Sequence, residues 1–159
     1  MPESSSDSTA WILALDDRLR AAVGERELIH LIEVPTLLEV PLCPYYCRHI
    51  LVWNDAVLPA MDLAAWLHGQ PSQRSRTLAG VFGYQMRRGA KPEYGALLLA
   101  GIPARARVTD ESACGLPKKP RNWRSAAISC FKQGSDLIPV LDLAHIFAGG
   151  LPQIPPQFG

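Results

Sequence analysis

Val57-Leu58-Pro59-Ala60-Met61-Asp62-Leu63-Ala64-Ala65-Trp66-Leu67 is met again 80 residues later as Leu137-Ile138-Pro139-Val140-Leu141-Asp142-Leu143-Ala144-His145-Ile146-Phe147. Each copy follows an apolar strand and a polar turn. In each, proline stands where a strand ends or lies at an edge, because it cannot donate to a ladder. Asp62 and Asp142 then stand where a carboxylate caps the first turn of a short helix. Leu63, Trp66 and Leu67, or Leu143, Ile146 and Phe147, share one face of that turn and would plug the end of a barrel. Two copies of one unit half a chain apart imply two similar subdomains.

Working outward, the segments between the copies read as short strands and turns. Ile50 to Trp53 is a continuous apolar run, as in a strand buried on both faces. Asn54-Asp55 is a turn leading into Ala56 to Leu58, so the pair reads as a hairpin. Ala126 to Phe131 and Leu137 to Leu141 flank a Lys132-Gln133-Gly134-Ser135 turn. Trp11 to Leu15, Leu19 to Val23, Glu27 to Glu33, Leu78 to Tyr84, Tyr94 to Ile102 and Arg105 to Val108 supply further strand candidates. Pro35, Pro41 and Pro44 forbid a long helix through that region. Gly69 to Ser75 reads as a linker between halves, and Cys114 to Pro120 as a proline-bounded loop. With 14 prolines and 12 glycines in 159 residues, and turn signals at roughly 8–12-residue spacing, the chain is all-β rather than a helical bundle.

Composition narrows the function. Apolar types make up 48% of the chain and the net charge is +1, which excludes a disordered polymer and any global argument for nucleic-acid or membrane surfaces. Charge is uneven along the chain: residues 1–79 carry 6 basic and 10 acidic side chains, and residues 80–159 carry 10 and 5. Such asymmetry fits two partner surfaces, or one end of a compact domain that is simply more basic. The longest apolar stretch, Ala96 to Ala104, is far short of the ~20 residues that a spanning helix needs. The acidic, polar start Pro2 to Asp7 does not read as a signal peptide, so the expected setting is cytoplasmic, without direct membrane insertion.

No nucleophile-elbow, phosphate-loop, dinucleotide or H-E-x-x-H motif occurs, and no catalytic residue is assigned. Cys43, Cys47 and His49 offer thiolates and an imidazole, but the Cys spacing of three and the missing second ligand pair argue against zinc. The four cysteines, Cys43, Cys47, Cys114 and Cys130, could make two bridges in a secreted protein, but nothing in the sequence indicates secretion, and free cysteine more often serves as small buried filler. No cofactor or metal is expected. Lys118-Lys119-Pro120-Arg121-Asn122-Trp123-Arg124 interleaves cations with an aromatic, as a single-strand binder would. One short loop on a nearly neutral chain makes nucleic acid only the alternative reading.

The doubled strand–turn–strand–Pro-x-x-Asp-Leu pattern resembles the CheW family of bacterial chemotaxis coupling proteins. Leu42-Cys43-Pro44-Tyr45-Tyr46 is similar to that family's proline-led segment, Ile50 to Trp53 to its following strand, and Val57 to Leu63 to its closing element. Ala96 to Val108 and Ile128 to Phe147 are similar to its second half. The resemblance spans residues 10–148 and implies two small five-stranded β-barrel subdomains packed side by side, with short helices. The first is expected mainly within residues 24–76. The second is expected within 77–148, with an N-terminal strand exchanged into it, between a disordered tail (1–9) and an irregular one (149–159).

The resemblance further implies a non-enzymatic adaptor. Such proteins bridge a chemoreceptor's cytoplasmic tip to the regulatory domain of the histidine kinase CheA, through pseudo-symmetric contact between barrel ends, and meet other CheW-like proteins in the same arrays. The partner-binding residues carried over are Leu28, Ile29, His30 and Leu31, together with His49, Val52, Trp53, Asn54 and Asp55. Trp53, beside a polar turn, reads either as a partner anchor or as a core residue. Asn54-Asp55 stands where the family has an Arg-Gly turn, which removes a five-donor cation. His49 stands where the family has a glycine, and Leu28–Leu31 lacks the usual acidic residue. These departures mark a divergent member, suited to an accessory array such as that of type IV pili and twitching motility.

Overall fold

The computed structural model describes residues 8–120, 122–149 and 151. Strands β1 (Ser8–Ala14) and β2 (Arg20–Gly24) form a hairpin. At its turn the Asp16 carboxylate accepts the backbone N–H groups of Arg18 at 2.7 Å and Leu19 at 2.6 Å, the local bonding that suits aspartate to turns. Then come β3 (Leu28–Ile32), β4 (Leu38–Glu39), β5 (His49–Trp53), β6 (Ala56–Met61), helix α1 (Leu63–His68), β7 (Leu78–Tyr84), β8 (Glu93–Leu99) and β9 (Ala104–Val108). After a 3-10 turn at Asp110–Ser112 the chain closes with α2 (Trp123–Ala126), β10 (Ala127–Gln133), β11 (Asp136–Leu141) and α3 (Leu143–Phe147).

The strands form two sheets, of order β10-β11-β2-β1-β9 and β3-β7-β8-β6-β5-β4. Each contains one parallel pairing, β11 with β2 and β6 with β8, and each such pair includes the strand of one sequence repeat. The halves exchange hairpins reciprocally. The first half's β1–β2 lies in the sheet of β9, β10 and β11, and the second half's β7–β8 lies in the sheet of β3 to β6. The expected exchange is therefore two-way, and residues 78–99, expected in the second barrel, pair in the first. The reason is that Leu97 and Leu99 point into one core while Ala96 and Leu98 point into another. A strand apolar on both faces belongs in the middle of a covered sheet.

Each sheet curls around its own small core. Leu51, Leu58, Ala60, Ala79, Val81, Ala96 and Leu98 fill the larger one, and Ala10, Ile12, Ala22, Phe131 and Ile138 the smaller. Between the sheets lies the main core, where Leu13, Leu15 and Val23 meet Leu78, Phe82, Leu97 and Leu99, with Trp66 of α1 and Ile146 of α3. The two caps are near copies: Asp62 sits at φ −97°, ψ 86° and Asp142 at φ −97°, ψ 87°. Their carboxylates accept Ala65 N–H at 3.0 Å and His145 N–H at 3.2 Å. Their own N–H groups donate to Tyr46 and Ala126 carbonyls, residues again 80 apart, at 2.7 and 2.9 Å.

Several local expectations are corrected. Ile50–Trp53 alternates rather than being buried on both faces, because Val52 faces solvent while Leu51 is buried. Ser8 and Thr9, expected in a disordered tail, pair with Val108 and Arg107; residues 1–7 lie outside the described residues. The Gly69–Ser75 segment is no loose linker, since Ser72 and Arg74 fold back onto Asp62. Arg74 donates to both carboxylate oxygens of Asp62, at 2.7 and 3.0 Å, and through Nε to the Leu15 carbonyl at 2.8 Å. That guanidinium, 5% exposed, ties the α1 cap to the β1–β2 hairpin of the other sheet. In the tail expected to be irregular, Leu151 packs on the main core, and residues 150 and 152–159 lie outside the described residues.

Candidate functional site

The β5–β6 hairpin turns on Asn54 and Asp55, both left-handed at φ 48° and 62°. Two consecutive positive φ values make the type I′ turn whose twist suits a tight hairpin, and Asn and Asp tolerate it better than most residues. The turn sets the register, with Trp53 opposite Ala56, Val52 opposite Val57, Leu51 opposite Leu58 and Ile50 opposite Pro59. Leu51 and Leu58 go inward. Val52 and Val57, 58% and 63% exposed, go outward. Leu38 of β4 pairs with Ile50 and is also exposed. Leu38, Ile50, Val52, Val57 and Pro59 thus form one outward apolar strip over three strands.

Trp53 points the other way, packing against the core of the larger barrel with Ile32 and Leu37. Its ring meets Tyr94 with centroids 5.5 Å apart. Tyr94 in turn flanks Gly83 beside Ile29: a Cβ built on Gly83 would stand 3.2 Å from the Tyr94 ring and 3.3 Å from Ile29. The missing side chain is what lets Ile29 and Tyr94 come together. Because β6 runs parallel to β8 while β7 and β3 are each antiparallel to their neighbour, one end of the barrel gathers four pieces. They are the Asn54–Asp55 turn, the start of β8, the end of β7 and the start of β3.

This mouth has a ring of half-exposed apolar groups, Ile29, Tyr94 and Trp53. Asp55 of the β5–β6 turn is exposed at this end, as are Glu93 and, in the adjoining β7–β8 turn, Met86, Arg87, Arg88 and Lys91. Tyr84 stacks on Phe147 at 5.5 Å behind it, and burial, then Glu93, pushes its phenol above the usual range. Covering these exposed apolar groups would remove area from water, at roughly 25 cal/mol per Å² buried.

The residues singled out from sequence divide accordingly. Ile29, Trp53, Asn54 and Asp55 come together at the mouth, and Val52 starts the outward strip. Leu28 and Leu31 turn toward the main core, and His30 is exposed on the edge strand β3. His49 pairs with Ala60 at the far end of β5, about 13 Å along the strand from Trp53 at the usual rise. Sequence reasoning missed Tyr94, Val57, Pro59 and Leu38. Val57 and Pro59 were reachable by counting register outward from the two-residue turn; Tyr94 and Leu38, on strands outside that hairpin, were not.

The competing sites fare less well. Trp123, the aromatic of the basic loop, is 2% exposed and has no face free for a base. Cys47 is half-buried, and burial, then Cys43, pushes its thiol up, away from the thiolate that a nucleophile or zinc ligand requires. Among the described residues no group of three or more His, Cys, Asp or Glu could hold a metal, and no helix is long and apolar enough to cross a membrane.

No protein-family model matches the chain, and a search of curated proteins finds no match either. Among solved structures it is similar to the scaffolding protein TtCheW from Thermoanaerobacter tengcongensis. The TM-score is 0.69, with 88% of this chain and 92% of that one covered, at 11% sequence identity. The likeness is one of fold: the chain has a CheW-like, all-β fold of two strand subdomains.

Proposed function

We propose that this chain, with its CheW-like fold as the premise, is a non-enzymatic adaptor of bacterial chemosensory signalling that couples chemoreceptors to a CheA-type histidine kinase. The single observation that carries the reading is the apolar mouth of the larger barrel, where Ile29, Tyr94 and Trp53 meet the Asn54–Asp55 turn. It stands at a barrel end, where the resemblance expects partners to dock. The adjoining strip of Val52 and Val57 extends it. Aromatic anchors amid apolar neighbours are where interface energy concentrates. The kinase's regulatory domain is the partner assigned to this end, with the receptor tip and other CheW-like proteins as further partners, at membrane-associated arrays reached from the cytoplasm. The Asn54-Asp55 turn, without the family's arginine, favours an accessory array such as that governing type IV pili.

The test is calorimetric titration of this chain with the regulatory domain of the kinase from the same cell. Val52→Asp changes an exposed position and should leave folding intact while weakening binding about 30-fold, the roughly 2 kcal/mol expected of a hot spot. Trp53→Ala should weaken it at least as much. Unchanged affinity in Val52→Asp and Trp53→Ala would remove the mouth as the docking surface. No binding by the wild type, with binding gained in Asn54→Arg, would mean that the surface has been retargeted. Twitching against swimming in a deletion strain tests the assignment to pili.

A further inference from the structure

Cys114 and Cys130 lie on neighbouring antiparallel segments, outside the docking surface. Ala113 and Phe131 form a ladder bridge, the Cys114 N–H donates to the Cys130 carbonyl at 3.1 Å, and the two sulfurs are 3.2 Å apart. Directly opposed residues of antiparallel segments have Cα atoms roughly 4.5–5.5 Å apart, inside the range that a disulfide spans. A bond of about 2.05 Å needs the sulfurs to close by roughly 1.2 Å, a side-chain rotation rather than a backbone movement. We propose that Cys114 and Cys130 are a reversible dithiol–disulfide modification site, which staples the loop running from Cys114 to Pro120 onto β10.

The oxidant is a low-molecular-weight disulfide, RSSR. Cys114 is half-buried and is the sulfur that solvent reaches; Cys130 is 4% exposed. Cys114 loses its proton and its thiolate attacks one sulfur of RSSR, forming a mixed disulfide and expelling RS⁻, which takes up the proton. Cys130 then loses its proton and attacks the Cys114 sulfur, expelling the second RS⁻, which is protonated in turn. Two protein thiols are oxidised and one RSSR is reduced to two RSH. The order follows from the environment. Burial, then the hydrogen bond and charge of Cys114, push Cys130 up to about 12. Cys130, the more buried of the two, therefore reacts second, on a Cys114 sulfur already capped within reach.

The experiment treats the full-length chain with oxidised glutathione, followed by alkylation, intact mass and peptide mapping. The expected result is loss of two hydrogens, a fall from four alkylatable thiols to two, one Cys114–Cys130 cross-linked peptide, and complete reversal by dithiothreitol. Cys114→Ser, in a loop position that does not threaten the fold, should abolish the cross-link. The double variant Cys43→Ser/Cys47→Ser should leave it unchanged. Four thiols still alkylated, a persisting glutathione adduct on Cys114, or a cross-link mapping to Cys43 and Cys47 would each overturn the proposal.

Discussion

Replacing Arg74 by methionine tests whether the Arg74–Asp62 pair holds the two sheets together. The guanidinium donates to both oxygens of Asp62, to the Ser72 hydroxyl and to the Leu15 carbonyl. Methionine keeps much of the apolar stem and none of the donors. Removing one partner of a buried pair costs about 3–5 kcal/mol, chiefly because the other charge is stranded. Here Asp62 is 15% exposed and retains the Ala65 N–H and the Ser72 hydroxyl, which places the loss at the low end. Leu15 in turn loses a partner for its carbonyl, worth about 1 kcal/mol or more. The expectation is about 3 kcal/mol, or a Tm lower by roughly 6–12 °C for a chain of this size. Urea denaturation at fixed pH measures it, with the m-value unchanged if the compact state survives. Asp62→Asn keeps a competent N-cap and, combined with Arg74→Met, should recover part of the loss, since contacting residues couple by about 0.5–3 kcal/mol. A loss below about 1 kcal/mol in Arg74→Met would refute the argument. So would additivity of the two substitutions within about 0.5 kcal/mol.

Burial works to raise the Asp16 carboxyl, but the backbone N–H groups of Leu19 and Arg18 and the nearby His68 outweigh it and hold the group below its ordinary value of 3.8. A depressed carboxylate stabilises the fold above its unfolded pKa and ceases to do so as pH falls through the folded value. Acid titration of stability should therefore show a loss beginning near pH 4 that is reduced in Asp16→Asn. Glu27 has the opposite sign: burial raises it above 4.5 despite the Gly24 N–H. Glu27→Gln, which keeps the acceptor, should be more stable than wild type at pH 7 and lose that advantage below about pH 4. A Cβ on Gly95 would stand 2.6 Å from the Phe147 ring. Gly95→Ala should thus cost about 1–3 kcal/mol by overpacking, and Phe147→Leu in the same chain should relieve it; equal thermal midpoints for Gly95→Ala and wild type would contradict the packing.

What was legible in the sequence was local or repeated. The β5–β6 and β10–β11 hairpins, both aspartate caps and the all-β class follow from turn residues and the 80-residue repeat, whereas Pro59 and Pro139, read as strand ends, lie inside β6 and β11. What was not legible was which strands pair at a distance. Leu78–Tyr84 and Glu93–Leu99 look like a simple hairpin, and nothing in their composition says that they cross into the first half's sheet. Only the double-sided burial of Leu97 and Leu99 against Ala96 and Leu98 accounts for it. Trp53 was ambiguous because a four-residue apolar run hides the alternation of a half-buried strand. Counting from the Asn54–Asp55 turn would have resolved it, by putting Trp53 on Leu51's face and Val52 on the other. Arg74 lay in a segment that reads as linker, and its partner Asp62 already had a sufficient role as a cap.

The repeat also shows where the two halves differ. Several positions that match across the 80-residue offset are internal: Leu58 and Ile138, Met61 and Leu141, Leu63 and Leu143 are all buried, and the caps share one geometry. The sharpest change of chemistry lies at the hairpin tips. Val52 and Trp53 correspond to Lys132 and Gln133, and the Asn54–Asp55 turn to Gly134–Ser135, where only the glycine is left-handed. Lys132 and Gln133 are exposed. The same backbone unit thus ends in an apolar, aromatic tip on one sheet and a polar, cationic tip on the other. A pseudo-symmetric body with identical ends would favour one kind of partner at both. Ends of different chemistry discriminate, because a surface that buries aromatics in one complex leaves cations unpaired in the other. On the proposed reading, an adaptor holding two unlike proteins at once would use that asymmetry, which sits at the hairpin tips while the buried positions of the repeat are shared.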